Sequence, residues 1–298
     1  MSKLAVLGGG NLGRSLALGW VRAGRYAPSD IHITRRQDEK LADLGAEGYA
    51  VGSDNASAVR ACDVLVLAVQ PQQLDALLAD IAPELESGRH RVISVVSGAS
   101  IAQIRSGLGN GVPVVRAMPN TAVSIGESMT CLAAEDDGDG ALGATGATGD
   151  ALGGASPALG GAGAPVGSAG GALEEARELF DLVGRTLEIQ EEMMVPATAL
   201  CACGVAFFLR CIRAASQGGI EIGFHPEEAL LLAGQTARGA AALSLKEDSH
   251  PEGEIDRVTT PRGCTIAGLN EMEHQGLSSA MIKGLIVSAR AAEGLYRG

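Results

Sequence analysis

At 298 residues the chain is long enough for about two domains with a sizeable core. Its formal net charge of −12 argues against a nucleic-acid surface. No run of residues approaches the roughly 20 apolar positions needed to cross a bilayer, so no membrane partner is expected.

The first element is read at the amino terminus. Leu4–Leu7 is a short apolar run leading into Gly8-x-Gly10-x-x-Gly13, and Leu12, Leu16, Ala17, Trp20 and Val21 follow at helical spacing. Strand, glycine loop and helix in that order mark a dinucleotide site. Gly8 allows the tight turn, Gly10 the approach of a pyrophosphate and Gly13 the packing of helix on strand. The helix amino end, with Asn11 and Leu12, presents free N–H groups to the phosphates. This apolar run is short and has no basic leader, which does not fit a signal peptide.

Strands are predicted next at Ile31–Thr34, Val64–Val69, Arg91–Val96 and Val112–Arg116, with amphipathic stretches at Gln37–Gly45, Gln72–Leu85 and Ser100–Leu108 between them. The alternation predicts an α/β, doubly wound domain with a parallel sheet covered on both faces. Residues 136–172 collapse into Gly, Ala and Ser and read as a flexible surface insertion. A helix is expected over 173–184, and Arg185–Gln190 as a late strand of the first domain. Beyond Met193 the pattern is helical: Thr198–Ile222, Pro226–Leu245, Thr265–Gln275 and Leu277–Leu295. Pro226 sits at a first helical position, and Pro251 follows a helix end. The boundaries drawn are 1–192 for the first domain and 193–298 for the second. An Ala-rich helical domain short of aromatics completes its core against a second subunit, so a homo-oligomer is expected.

The cysteines, at 62, 131, 201, 203, 211 and 264, lack zinc-site spacing, and the five histidines are scattered, so no metal is expected. Cys201-Ala202-Cys203, the one close pair, reads as packing in a reducing cytoplasm. Only Lys3, Lys40, Lys246 and Lys283 are lysines among 23 basic residues. That bias fits either a salt-adapted host or a GC-rich genome.

The second strand ends in Thr34-Arg35-Arg36 rather than an acidic residue. A hydroxyl and two guanidiniums there favour a 2′-phosphate, hence NADPH over NADH. Other loops at the strands' carboxyl ends line the same crevice: Ala68-Val69-Gln70-Pro71, Val96-Ser97-Gly98 and Ala117-Met118-Pro119-Asn120. Asn55, after a third strand, reaches the adenosine half.

With these motifs and Gly126-Glu127-Ser128-Met129-Thr130, Gly234-Gln235-Thr236 and Thr259-Thr260-Pro261-Arg262-Gly263-Cys264-Thr265, the chain resembles the Δ1-pyrroline-5-carboxylate reductases. The last stretch looks like that family's Ser/Thr-Ser-Pro-Gly-Gly-x-Thr loop. The resemblance implies an amino-terminal Rossmann-type domain followed by an all-α dimerisation domain, as a homodimer or larger. It also implies NADPH-dependent reduction of the cyclic imine 1-pyrroline-5-carboxylate to L-proline. Thr260, Pro261, Gly263, Cys264 and Thr265 then hold the substrate, with Thr265 and Thr260 as the catalytic residues. From the residues alone, the same stretch is a turn into a helix whose N–H groups suit a carboxylate, or a Thr-capped helix start.

Three segments depart from the family. Gly-Gly becomes Arg262-Gly263, Ser-Gly-Ser-Gly-Pro-Ala-Tyr becomes Cys201-Ala202-Cys203-Gly204-Val205-Ala206-Phe207, and Met-Pro-Asn-Thr-Pro becomes Met118-Pro119-Asn120-Thr121-Ala122. They leave open a reductase of another cyclic imine acid and a non-catalytic NADPH-binding protein. A β-hydroxyacid dehydrogenase would need a lysine in the interdomain helix, and Thr198–Ile222 has none.

Overall fold

The computed structural model describes residues 2–109, 111–134 and 169–296. Most of the predicted 136–172 insertion lies outside the described residues. Its last part, 169–172, opens a helix instead. The described residues fall into two compact units: 204–286 is one, and 2–134, 169–203 and the tail 287–296 are the other.

The sheet has eight strands: β1 (Leu4–Leu7), β2 (Ile31–Thr34), β3 (Ala50–Gly52), β4 (Val64–Leu67), β5 (Arg91–Ser94), β6 (Val114–Met118), β7 (Ser128–Ala134) and β8 (Gly184–Glu188). They lie in the order β3-β2-β1-β4-β5-β6-β7-β8. The first six are parallel; β7 runs antiparallel to β6, and β8 parallel to β7. The order of those six is that of the dinucleotide-binding folds, with its switch point between β1 and β4. Strand β3 was expected ahead of Asn55 but without limits, and β7 was not among those predicted. The first is a three-residue edge, and the second mixes Ser, Thr, Cys and Ala with little apolar signal.

The period-2 rule explains how one sheet serves two cores. Leu4 and Val6 of β1 point into the cluster with α1 (Asn11–Arg22), α2 (Ala42–Ala46) and α6 (Ala169–Asp181). Ala5 and Leu7 point into the opposite cluster with α3 (Asn55–Ala61), α4 (Leu74–Ile81) and α5 (Ile101–Leu108). The helices present matching stripes: Leu74, Leu77, Leu78 and Ile81 on α4, and Ala172, Ala176, Leu179 and Phe180 on α6. α5 opens with a Ser100–Gln103 capping box and stops at Gly109, whose φ is 67°. Trp20 of α1 meets Phe180 edge-on with ring centroids 6.1 Å apart. Its indole N–H donates to the Leu179 carbonyl at 2.9 Å, fastening α6 to α1.

After β8 come α7 (Met194–Ala197) and one π-helical turn, Thr198–Cys203. α8 (Gly204–Glu221), α9 (Pro226–Ser244), α10 (Pro251–Val258), α11 (Cys264–His274) and α12 (Leu277–Ala292) follow. Pro226 opens α9 as predicted. Pro251 does not merely follow a helix end: it opens α10, with the His250 ring accepting the Glu252 N–H at 3.2 Å. Within the Gly204–Ile286 unit, Ala229 is the buried apolar side chain, while Phe208, Leu209, Ile222 and Leu231 are exposed, Ile222 at 78 %. So little interior cannot hold a helical unit together by itself. Contrary to the expectation from unbroken apolar runs, the 31-residue helical stretch Glu191–Glu221 is long and apolar enough to cross a membrane, by length and composition only. Its Ala, Gly and Cys residues dilute the apolar pattern, and charge enters the helical stretch only at its ends and at Arg210 and Arg213.

Candidate active site

The glycine loop sits at the carboxyl end of β1. Gly8 and Gly9 donate to the Thr34 carbonyl at 3.1 and 2.7 Å, and Gly10 donates back to Gly8 at 2.9 Å. Gly8 has φ 123°, and a Cβ there would meet the Ala68 carbonyl oxygen at 2.4 Å. The turn and the neighbouring loop after β4 thus both require glycine. A Cβ on Gly13 would lie 2.2 Å from the Gly8 carbonyl oxygen and 3.0 Å from a Val6 methyl, which is the helix-on-strand packing read from the sequence. Around Gly10 nothing lies within 4 Å of a Cβ position. Gly10 also caps α1 without a side-chain bond, and the first turn holds no acidic residue. The amino end that includes Asn11 and Leu12 therefore suits a diphosphate.

The end of β2 is more committed than its sequence suggests. Thr34 is buried, and its hydroxyl donates to the Asn55 side-chain oxygen at 2.6 Å. Asn55, the first residue of α3, donates in turn to Asp80 of α4 at 2.9 Å. The carboxylate fixes the Asn55 amide, because the flipped group would set oxygen against oxygen. The Thr34 hydroxyl proton is thus engaged by Asn55 in this structure. Asp80 had no motif to announce it. Arg35 is half-buried and donates to the Gly9 carbonyl at 3.0 Å, whereas Arg36 is exposed. Arg14 pairs with Asp43, whose carboxylate raises the guanidinium pKa by hydrogen bonding, tying α1 to α2.

The remaining loops divide. Ala68 and Val69 are half-buried beside Gly8, Gln70 is exposed, and Pro71 opens a 3₁₀ turn. Gly98 is covered by the chain's own tail: a Cβ on it would lie 2.8 Å from the Tyr296 nitrogen. The Ser97-Gly98 loop is therefore a docking point for the tail, where a crevice wall was expected. Met118 packs with Cys131, Ala133, Met194 and Ala197 and is 4 % exposed, so its side chain belongs to the core at this end of the sheet. Asn120 is held from three sides. Its N–H donates to Ser128 at 3.1 Å, its side-chain oxygen accepts from Ala122 at 3.0 Å, and its amide donates to the Cys201 carbonyl at 3.2 Å. Glu191 joins this end of the sheet by accepting from the Ile101 N–H at 2.6 Å and from Arg116 at 3.1 Å. Burial lowers the Arg116 pKa, and the Glu191 carboxylate opposes that shift.

In the helical unit, Thr260-Pro261-Arg262-Gly263 is a tight turn closed by the Gly263 N–H on the Thr260 carbonyl at 2.9 Å. Proline stands second and a left-handed residue third, the arrangement in which glycine is preferred at the third place. Arg262 occupies that place with φ 60°, at a cost of about 1 kcal/mol. A Cβ on Gly263 would meet the Thr260 hydroxyl at 2.5 Å. Gly263 itself caps α11 without a side-chain bond, so the Thr-cap alternative does not hold for this helix. Cys264 is exposed and Thr265 half-buried in its first turn.

Residues 191–295 match the model of the pyrroline-5-carboxylate reductase dimerisation domain. Residues 3–98 match that of the coenzyme F420-dependent NADP oxidoreductases. Two Dictyostelium discoideum proteins, pyrroline-5-carboxylate reductases 1 and 2, are each 48 % identical to the chain. The alignment with the first covers 98 % of this chain and 50 % of that protein, so the chain spans half its length. With the second the shares are 96 % and 90 %. Among solved structures, a pyrroline-5-carboxylate reductase from Coxiella burnetii superposes with a TM-score of 0.80 at 26 % identity, over 100 % of this chain and 99 % of the other. The NADP-bound Plasmodium falciparum pyrroline carboxylate reductase gives 0.80 at 21 % identity, covering 99 % and 98 %, and speaks for the fold. On the full-length match to reductase 2 and the dimerisation-domain match together, the chain belongs to the pyrroline-5-carboxylate reductase family.

Proposed function

We propose that the chain reduces 1-pyrroline-5-carboxylate to L-proline with NADPH. The observation that carries this is the uncapped glycine loop at the sheet's switch point, and the Thr260–Thr265 turn of the helical unit, taken by itself, supports the substrate assignment. Residues 1–192 hold the cofactor, and residues 193–298 hold the substrate and a second copy. When bound, the reduced nicotinamide supplies hydride to the imine carbon. The amino end of α1 holds the diphosphate, with Gly10 leaving it room. Arg36 meets the 2′-phosphate, while Arg35 braces the loop and Asn55 the adenosine side. Ala68, Val69, Gln70, Pro71, Met118 and Asn120 line the nicotinamide side through backbone and Asn120 amide groups.

On the substrate side, the free N–H groups at the start of α11 take the carboxylate. Thr265 orients the ring nitrogen, where a proton is held while the carbon is reduced, and Thr260 supports it. A protonated imine is already electrophilic, so positioning supplies most of the catalysis. The exposed apolar strip of α8 and α9 is covered by a second copy, giving a homodimer or larger assembly in the cytoplasm.

The test follows NADPH oxidation with pyrroline-5-carboxylate, with the six-membered imine acid and NADH alongside. Turnover is expected with the five-membered substrate. Preference for the six-membered ring would move the assignment to the altered Cys201–Phe207 segment, and tight NADPH binding without any turnover would overturn catalysis. Thr265→Ala should lower kcat about 100-fold with NADPH affinity retained; unchanged turnover removes Thr265 from the mechanism. Replacing both Arg35 and Arg36 with alanine should weaken NADPH about 30-fold but NADH only a few-fold, since only the former loses a charge-assisted phosphate contact. Equal weakening of the two, in a titration of cofactor fluorescence, would remove the 2′-phosphate assignment.

A further inference from the structure

Two cysteines from distant parts of the chain meet beside Asn120. Cys131 lies on β7 and Cys201 in the π-helical turn, and their sulfurs are 3.8 Å apart, sharing one hydrogen bond. Among the described residues, this is the thiol pair at such a distance. Met118, Ala133, Met194 and Ala197 surround it and offer no competing side-chain donor. Cys131 is buried, whereas Cys201 is half-buried. Cys201 is thus the sulfur that a small polar oxidant reaches, with Cys131 waiting behind it. The bond from the Cys131 thiol lowers the Cys201 pKa to about 7, against burial, and raises that of Cys131. A more acidic, more accessible thiol next to a protected one is the arrangement of attacking and resolving cysteines.

The packing reading of Cys201 therefore describes only the resting state. Its carbonyl accepts the Asn120 amide at 3.2 Å, so any shift of this turn acts on Asn120 directly. A π turn has looser backbone bonding than an α turn and yields more readily. We propose that Cys131 and Cys201 are a peroxide-sensitive thiol pair whose closure to a disulfide draws the π turn onto β7 and disengages Asn120.

The chemistry balances with a hydroperoxide as oxidant. The Cys201 thiolate attacks one peroxide oxygen, the O–O bond breaks, and the departing hydroxide takes a proton to become water. Cys131 then attacks the Cys201 sulfenic acid. The S–S bond forms, the S–O bond breaks, and the Cys131 proton leaves with the hydroxyl as a second water. The two thiols lose two electrons, which reduce one peroxide, and a dithiol reverses the change by exchange. Closure brings the sulfurs from 3.8 Å to about 2.05 Å, within reach of a small turn movement.

The experiment treats the reduced full-length protein with hydrogen peroxide. The expected result is a Cys131–Cys201 linked peptide lighter by two hydrogens, with NADPH oxidation falling about tenfold and returning on addition of dithiothreitol. In Cys131→Ala, basal turnover is expected to persist and the dithiothreitol-reversible loss to vanish. Cys201→Ser, which keeps the turn polar, should likewise show no reversible loss relative to its own untreated activity. No linked peptide, a link through other cysteines, or an undiminished reversible loss in Cys131→Ala would each overturn the proposal. The activity readout rests on the reductase reading, but the linked mass does not. Absent turnover in untreated protein would therefore sink the assigned reaction and leave the thiol pair to be judged by mass.

Discussion

Gly13→Ala is expected to weaken NADPH binding about 100-fold, as a small displacement of positioning groups does. The new methyl would lie 2.2 Å from the Gly8 carbonyl oxygen, which is backbone and cannot rotate aside, and 3.0 Å from Val6. The strain is relieved by backing the start of α1 away from the loop, by on the order of 1 Å given ordinary contact distances. The N–H groups aimed at the diphosphate move with it. Overpacking of this kind also costs about 1–3 kcal/mol of stability. Titration of cofactor fluorescence reads the first effect and urea unfolding the second. NADPH affinity within a few-fold of the unsubstituted protein would show that the diphosphate does not lie on this helix end.

Trp20→Ala is expected to destabilise the sheet unit by about 4 kcal/mol. Trp20 is fully buried, meets Phe180 edge-on and donates to the Leu179 carbonyl at 2.9 Å. Truncation removes the largest side chain of that core and leaves the carbonyl unpaired. Because Trp20 is the single tryptophan, unfolding must be followed by circular dichroism. A loss under about 1 kcal/mol would mean that α6 is held to α1 without this contact. The effect reaches the cofactor loop too, since α1 carries Trp20 and Gly13 on one helix.

How far each element could be read depended on whether its reason for forming was local. β1 and β2 carry their own apolar runs, and their observed limits are the expected ones. Strand β7 was missed because its order comes from pairing with β6 and β8. The opening helix of the 251–258 segment was missed because Pro251 reads equally as a stop and as a first helical residue. In the site, Gly8, Gly10 and Gly13 were legible because an absent side chain is itself the signal. Asp80, Ser128 and Glu191 were not, since each matters only through a partner at least eight positions away in the chain.

The sequence by itself determined the alternation of strands and helices, the glycine loop, the basic end of β2 and the Thr-rich turn of the helical half. Hydrophobic period, turn chemistry and charge are written into neighbouring residues, so no folding is needed to read them. Only the tertiary structure decided that the Thr34 proton belongs to Asn55, that Arg262 stands in a left-handed position, and that Cys131 and Cys201 face each other. Those facts depend on which distant side chains the packed sheet and helices bring within bonding distance, and no local pattern specifies that.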